Sequence, residues 1–249
     1  MENSVNPNAR AKDLGARASR PYNLPHKQWH SRGYLPHFDQ PGRLQSLTFR
    51  LYDSLPHEVV ERWKQELSWH ETLSAEDPIA VELRQRIARF EDEGHGRCWL
   101  ARVDIAHLVE DALLHFDGER YHVLAWCVMP NHVHIVIETQ EGNRVGDIVH
   151  SWKSFTAKEA NKRLIRRGSF WMPDYYDRFI RDANHLDTVV AYVENNPVKA
   201  GLVRQATGWK FSSVSHSVSI SKVDGAGGTP ALPGSEGTSW HSCCVVKST

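Results

Sequence analysis

The stretch that decides the fold is Met129-Pro130-Asn131-His132-Val133-His134-Ile135-Val136-Ile137. Side chains alternate between the two faces of a β-strand, so His132 and His134 share one face while the apolar residues beside them point to the other. Two imidazoles on one strand face can bind one divalent ion. A His-x-His pair is also common on the solvent side of a half-buried strand, and the strand alone does not decide between these two interpretations.

Charge is balanced over the whole chain but not along it. The 249 residues hold 30 Lys and Arg and 30 Asp and Glu. Residues 1–33 nevertheless carry six basic residues against two acidic ones, and residues 150–185 carry eight against four. Local basic patches on a neutral protein favour a polyanion bound at a defined place, although each patch is also compatible with an ordinary solvated face.

Cysteine usage and hydropathy exclude several classes of protein. Cys98 and Cys127 lie in apolar contexts and are predicted to be buried thiols, and Cys243 and Cys244 lie in a low-complexity tail. The absence of a Cys-x-x-Cys pair argues against a zinc knuckle or a disulfide framework. Neither a signal peptide nor an apolar stretch of the ~20 residues that cross a membrane is visible, so we expect a cytoplasmic protein without membrane contact.

Hydrophobic periodicity predicts strands interleaved with helices. A first strand begins at Leu44, with Leu47, Phe49 and Leu51 on one face. Helices are predicted from Ser54 to Leu67 and over 79–92, 100–116, 146–167 and 183–196, and further strands over 121–128, 132–138 and near 175–181. This order indicates an α+β fold in which helices cover an antiparallel sheet. We divide the chain into a basic, partly disordered arm (1–40), one folded domain (41–214) and a disordered Ser/Gly/Pro tail (215–249).

The last predicted helix carries a second candidate group. Tyr192 and Asn196 are four residues apart and therefore lie on one side of the helix. Asn196 could add a hard oxygen ligand to the two histidines. Pro197 disfavours α geometry at Asn196, so we expect the helix to loosen there. Spacing alone leaves the ordinary alternative open, in which Tyr192 covers the edge of the core and Asn196 caps the helix.

Five motifs in order give the chain a resemblance to a known family. They are Gly-Tyr-Leu-Pro-His-Phe-Asp at 33–39, Ala-Trp-Cys-Val-Met-Pro-Asn-His-Val-His at 125–134, Trp-Lys-Ser-Phe-Thr at 152–156, Asp-Tyr-Tyr-Asp-Arg-Phe-Ile-Arg-Asp at 174–182 and Tyr-Val-Glu-Asn-Asn-Pro-Val-Lys-Ala-Gly at 192–201. Together they resemble the REP-associated tyrosine transposases, which are single-tyrosine members of the His-hydrophobic-His (HUH) endonucleases. The resemblance covers residues 33–212, and its loosest part is Trp-Lys-Phe-Ser at 209–212.

The resemblance implies a ferredoxin-like sheet that carries the His pair and faces a helix with a nucleophilic tyrosine. Tyr192 takes the nucleophile position, and His132, His134 and Asn196 take the metal-ligand positions. Tyr175 and Tyr176 are the competing nucleophiles, but they lie on a predicted strand and lack an oxygen ligand four residues later. Two imidazoles and an amide oxygen suit Mg²⁺ or Mn²⁺. Because the ligand imidazoles must be neutral, we expect activity to fall below about pH 6.

The basic patches then become candidate DNA contacts. The implied substrate is single-stranded DNA with short palindromic repeats that fold into hairpins. The candidate DNA-binding residues lie in the arm and around the fourth predicted helix: Arg10, Arg17, Arg20, Arg32, Lys153, Lys158, Lys162, Arg166 and Arg167. Nearby aromatic residues could stack on bases or belong to the core: Trp152, Phe155, Phe170 and Trp171.

Three functions are compatible with the sequence. The first is a metal-dependent DNA nickase and strand transferase that forms a 5′-phosphotyrosine. The second is a repeat-binding protein that has lost catalysis, and the third is a metal-dependent RNA-processing enzyme on a similar fold. The intact His132, His134, Tyr192 and Asn196 favour the first. The sequence leaves open whether the protein is a monomer or a dimer.

Overall fold

A four-stranded antiparallel sheet forms the centre of the protein. The computed structural model describes residues 29–31, 36–38, 42–70, 73 and 77–216. The sheet consists of β3 (Leu44–Arg50), β4 (Tyr121–Val128), β5 (His132–Thr139) and β6 (Tyr176–Phe179), in the spatial order β4-β5-β3-β6. A separate hairpin joins β1 (Trp29–Ser31) to β2 (Pro36–Phe38).

Five α-helices connect and cover these strands in the described part of the chain. They are α1 (His57–Glu66), α2 (Pro78–Asp92), α3 (Val103–Leu114), α4 (Val145–Arg163) and α5 (Ala183–Lys199). With α1 and α2 set aside as an insertion, the order β3-α3-β4-β5-α4-β6 and the sheet order are those of a ferredoxin-like fold. The α+β fold predicted from periodicity is therefore confirmed.

The two faces of the sheet are covered by different helices. Leu47 and Phe49 point to one face, where Phe49 stacks on Trp152 of α4 at 6.3 Å between ring centroids. In the β3–β5 register, Phe49 lies opposite Val133, whereas Thr48 and Arg50 lie opposite His134 and His132. The histidines therefore occupy the other face, and α5 packs there.

Side-chain capping explains where two of the helices begin. The Asp77 carboxylate accepts from the Ile79 amide at 2.8 Å, just ahead of Pro78 in the first turn of α2. The Asp182 carboxylate accepts from the His185 amide at 2.8 Å at the start of α5.

Two local expectations were wrong. The fourth helix ends at Arg163 rather than 167, since Ile165 takes a left-handed conformation (φ 51°) and turns the chain into solvent. The last helix does not loosen at Asn196 but continues to Lys199, because Pro197 removes only one N–H in the final turn while Ala200 still donates to the Asn196 carbonyl at 2.9 Å.

The C-terminal part of the domain packs on the edge of β4. Trp209 donates through its indole to the Val128 carbonyl at 3.0 Å, and the Phe211 carbonyl accepts from the Val128 amide at 2.9 Å. The loose motif at 209–212 therefore still covers an edge strand. Both Cys98 and Cys127 are buried thiols, as predicted. No helix in the described ranges is long and apolar enough to span a membrane. The predicted tail lies beyond the described residues after position 216.

Candidate active site

The two histidines of β5 face each other in the interior. The Nε2 atoms of His132 and His134 are 2.9 Å apart, and their rings are nearly perpendicular at 4.6 Å between centroids. Both side chains are buried. Strand geometry thus places two imidazole nitrogens where a single ion could contact both.

A hydrogen bond on the far side of the His132 ring decides which nitrogen carries the proton. The Asn131 amide nitrogen donates to the carbonyls of Glu91 and His95, each at 3.1 Å, so its oxygen is left as an acceptor. That oxygen lies 2.7 Å from Nδ1 of His132, which must therefore donate. The Nε2 atom of His132 then presents a lone pair. The Thr48 hydroxyl, which can donate or accept, lies 2.8 Å from Nδ1 of His134 and holds that ring from its far side.

Burial keeps both imidazoles neutral. It lowers the pKa of His134 to about 3, with a further contribution from the charge of Lys199. It lowers the pKa of His132 well below 6.5, with further contributions from His134, Arg50 and Lys199. Neutral imidazoles are the form that binds a metal. The low pKa values also move the expected loss of activity by ligand protonation to conditions more acidic than pH 6.

Asn196 comes to the same place from α5. Its Nδ2 atom is 3.1 Å from Nε2 of His134, and its buried Oδ1 atom has no hydrogen-bond partner. A buried amide oxygen without a partner is costly, and a cation beside the two imidazoles would satisfy it. Within the described ranges, no group of three or more His, Cys, Asp or Glu side chains is arranged to hold a metal ion. The donor set that fits a metal at this place is the two imidazoles with the Asn196 amide oxygen.

Tyr192 lies one helical turn before Asn196 and is 40% exposed. Its ring packs edge-on against His134, with the centroids 5.5 Å apart. Burial raises the pKa of Tyr192 to about 12, and the charges of Asp92 and Glu91 add to this, while the Asn196 side chain lowers the pKa in part. The site thus combines a phenol, two imidazoles and an amide, with the phenol at the solvent side.

The competing tyrosines are placed less directly. Tyr175 is buried in the core, and Tyr176 lies on β6 opposite Thr48. Thr48 in turn lies opposite His134, so the backbone of Tyr176 is two strands, roughly 10 Å, from that of His134 on the same face of the sheet. The charge of Tyr176 makes a small contribution to the raised pKa of Tyr192. Among these three tyrosines, Tyr192 is the one whose ring contacts a site histidine.

The candidate DNA-binding residues do not form one row. Lys158 and Lys162 are exposed and share a face of α4, whereas Lys153 lies about 140–180° around the same helix. The Lys153 ammonium donates to the carbonyls of Pro173 and Asp174, and burial lowers its pKa to about 8. Arg166 and Arg167 follow the helix, and Arg166 donates to the Asn161 side chain and the Ser169 carbonyl. Arg10, Arg17, Arg20 and Arg32 lie outside the described residues.

Most of the candidate stacking residues belong to the core. Trp152, Phe170 and Trp171 are buried, and the Trp152 indole donates to the Tyr121 hydroxyl at 2.9 Å. Phe155 is 53% exposed and remains accessible to a base.

Sequence reasoning missed three residues of this region. Asn131 precedes His132 directly in the motif, and an amide beside a candidate ligand is a recognisable signal. Lys199 lies seven residues after Tyr192 and hence on the same helix face, which was also visible in the sequence. Thr48 could not have been found, because its place opposite His134 depends on strand register.

Comparison with known proteins agrees with this geometry. Residues 107–196 match the family model described as "Transposase IS200 like", and the match contains both histidines, Tyr192 and Asn196. The chain is 28% identical over 123 residues to the REP-associated tyrosine transposase of Escherichia coli K12, an alignment that covers 48% of this chain and 72% of that protein. The chain is similar to the REP-associated tyrosine transposases.

A solved structure of a REP-associated tyrosine transposase bound to a REP hairpin is similar over 79% of this chain and 92% of that one, with 18% identity and a TM-score of 0.45. The sequence matches confirm the resemblance that the five motifs indicate, and transposases of the matched family model generally depend on a metal ion. Helices α1 and α2 lie outside the residues that match the family model.

Proposed function

We propose that this transposase relative is a metal-dependent endonuclease and strand transferase that acts on single-stranded, hairpin-forming repeat DNA through a 5′-phosphotyrosine. The observation that carries the proposal is the contact of the Tyr192 ring with His134, whose Nε2 atom faces Nε2 of His132 and the Asn196 amide. The E. coli relative and the hairpin-bound structure support the choice of repeat DNA as substrate. Work on chromosomal DNA would place the protein in the cytoplasm.

Three side chains would hold the metal. The Nε2 atoms of His132 and His134 meet the Asn196 amide, whose Oδ1 atom has no hydrogen-bond partner, and this donor set suits Mg²⁺ or Mn²⁺. When bound, the ion supplies positive charge against the negative charge that develops on the scissile phosphate and the phenol oxygen. The bonds from Asn131 and Thr48 would keep both rings in the ligand orientation before any ion arrives.

Tyr192 would supply the nucleophile. The phenol gives up its proton to solvent as its oxygen forms a bond to phosphorus, the bond from phosphorus to the 3′ oxygen breaks, and that oxygen takes up a proton from solvent to become a 3′-OH. The linkage retains the bond energy, so a 3′-OH of another strand can displace the tyrosine and complete strand transfer. This covalent route explains why the site holds a phenol beside the phosphate position rather than only a water.

One observation favours the alternative of a silent repeat-binding protein. With a pKa of about 12, roughly one Tyr192 in 10⁵ is ionised at pH 7, which corresponds to about 7 kcal/mol. The proposal therefore requires that metal and DNA together remove this barrier, and a protein that binds DNA without doing so would act by occupancy alone.

A covalent adduct separates the two functions. The protein is incubated with a hairpin-bearing single-stranded oligonucleotide and Mn²⁺, and denaturing electrophoresis detects protein joined to DNA. We expect an adduct that needs the metal and disappears in Tyr192→Phe, while that variant still binds the oligonucleotide. Tight binding without any adduct in the unaltered protein would establish the binding-only function. An RNA copy of the same hairpin, run in parallel, distinguishes DNA from RNA chemistry.

A further inference from the structure

We propose that Lys199 forms a phosphate-binding site beside Tyr192, where its ammonium contacts the scissile DNA phosphate, and that Asp92 occupies this ammonium in the DNA-free protein. The inference rests on the proposed function, since it assigns a further residue to the same substrate. The residue lies three positions after the matched family segment ends.

Helix geometry places Lys199 on the catalytic side of α5. At about 100° per residue, Asn196 and Lys199 lie about 40° and −20° around the helix from Tyr192, so the three side chains form one stripe. The Lys199 Nζ atom lies 5.3 Å from the centroid of the Tyr192 ring. A group this close to the attacking residue is also close to the phosphate that the residue attacks.

The position of Lys199 combines access with influence on the site. Its side chain is 54% exposed, so a DNA strand can reach the ammonium from solvent. Its charge is also felt at both buried imidazoles, where it contributes to their lowered pKa values. Lys199 thus places a positive charge at the border between the buried His pair and the solvent.

Asp92 explains how the ammonium is held before DNA arrives. The Lys199 Nζ atom donates to Asp92 Oδ2 at 2.7 Å, at the last residue of α2. An ion pair with one well-exposed partner is weak, and a phosphate oxygen offers the same charge-assisted bond that the carboxylate does. A DNA phosphate can therefore replace the Asp92 carboxylate as the hydrogen-bond partner of the Lys199 ammonium.

The competing role is structural: the ion pair ties α2 to α5. The two roles predict opposite effects of Asp92→Asn on DNA binding. A structural tie is lost equally from either partner, so Asp92→Asn and Lys199→Met would both weaken binding. If the Asp92 carboxylate instead competes with DNA for the ammonium, Asp92→Asn strengthens DNA binding. Lys199→Met still weakens DNA binding.

Binding is measured in the Tyr192→Phe background, so that the result does not depend on cleavage. Fluorescence anisotropy is recorded with single-stranded hairpin oligonucleotides in which each phosphate in turn is replaced by a neutral methylphosphonate. We expect Lys199→Met to weaken binding of the unmodified DNA about tenfold and Lys199→Arg to restore most of it. A methylphosphonate at the scissile position should weaken DNA binding about tenfold in the protein that keeps Lys199. It should not weaken DNA binding in the Lys199→Met variant.

Two matched controls account for general effects. Lys64 pairs with Glu61 at 2.9 Å and lies 4.8 Å from the Trp69 ring, so Lys64→Met removes the same kind of contacts on α1. Glu93→Gln removes an exposed negative charge next to Asp92. We expect little change from Lys64→Met, and about threefold tighter binding from Asp92→Asn with a smaller effect from Glu93→Gln.

Three results would overturn the inference. The first is weaker DNA binding by Asp92→Asn. The second is a loss of DNA affinity on methylphosphonate substitution that is the same with and without Lys199 at every position. The third is a loss that depends on Lys199 only at phosphates away from the cleavage position. The cleavage position in the DNA is mapped from the covalent adduct. If no adduct forms, a coupling at one phosphate would still establish the Lys199 contact while the nicking function fails, so the two failures are distinguishable.

Discussion

The sheet side and the helix side of the site differ in how firmly they are held. On the sheet side, His132 and His134 are buried, and each ring is fixed by a hydrogen bond of 2.7–2.8 Å on its far nitrogen. On the helix side, Tyr192 and Lys199 are 40% and 54% exposed, and Lys199 is held by an ion pair. The two imidazoles are thus held in place by the folded protein, whereas the proposed nucleophile and its neighbouring ammonium lie open to solvent, where a DNA strand would bind.

The largest effect should come from removing one buried ligand. His134→Ala deletes an imidazole from the sheet side and leaves Tyr192 and Lys199 in place. We expect adduct formation with Mn²⁺ to fall by about 10³-fold or more, because metal charge at the phosphate contributes several kcal/mol. Gel quantification of the adduct measures this, with titration of Mn²⁺ by electron paramagnetic resonance alongside. A variant that forms the adduct at the normal rate would show that the His pair is not the metal site.

Acid should destabilise the sheet side specifically. Both imidazoles have lowered pKa values in the folded protein, so below pH 6.5 the unfolded chain binds protons that the folded chain does not. Stability is therefore complete above about pH 6.5 and decreases as the pH falls towards the folded pKa values. At pH 5 we expect a loss of about 2 kcal/mol per imidazole, about 4 kcal/mol in all.

Urea unfolding of the metal-free protein at pH 7 and pH 5 checks this loss. The control is a double variant, His132→Gln with His134→Gln, which has no titrating ring in the site. The double variant should therefore lose about 4 kcal/mol less unfolding free energy between pH 7 and pH 5 than the unaltered protein loses. Equal losses in both proteins would contradict the assignment of neutral, buried imidazoles.

Asn131 tests whether the orientation of His132 matters. Asn131→Leu removes the acceptor for His132 Nδ1 and leaves the carbonyls of Glu91 and His95 without their donor. We expect Mn²⁺ affinity to fall about 10- to 100-fold. In the metal-free protein, ¹⁵N chemical shifts of the His132 ring should show a loss of the uniform Nδ1–H tautomer. Asn131→Asp keeps the acceptor and should retain that tautomer, and a mixed tautomer in the unaltered protein would remove the argument.

Thr48 should give the smallest effect. Thr48→Val has a similar shape but lacks the hydroxyl that meets His134 Nδ1 at 2.8 Å. We expect a loss of about 1 kcal/mol in stability and a few-fold loss of Mn²⁺ affinity, since one neutral hydrogen bond is removed. Calorimetry and metal titration measure both, and an effect as large as that of Asn131→Leu would show that His134 depends on this bond more than the structure indicates.

Much of the fold followed from local signals. The alternation around His132 and His134 and the spacing of apolar residues in the helices predicted the sheet and its helices, because these periods reflect which face is buried. The family resemblance supplied the roles of Tyr192 and Asn196, which spacing alone left undecided. The ends of helices were less predictable, as at Pro197, where the loss of a single N–H in the last turn did not stop α5.

What the sequence could not provide were contacts that depend on distant parts of the chain. The bonds from Asn131 to Glu91 and His95 span about 40 residues, and the pair of Lys199 with Asp92 spans 107. The separation of Lys153 from Lys158 and Lys162 around α4, in contrast, follows from their spacing in the sequence. The roles of these residues in DNA binding stay predictions.

The most direct test of the central claim is to identify the residue that carries DNA. The adduct formed with Mn²⁺ is digested with protease and nuclease, and tandem mass spectrometry locates the nucleotide-linked tyrosine. We expect the nucleotide on Tyr192, beside the two histidines. A nucleotide on Tyr175 or Tyr176, or tight DNA binding with no modified tyrosine at all, would contradict the account.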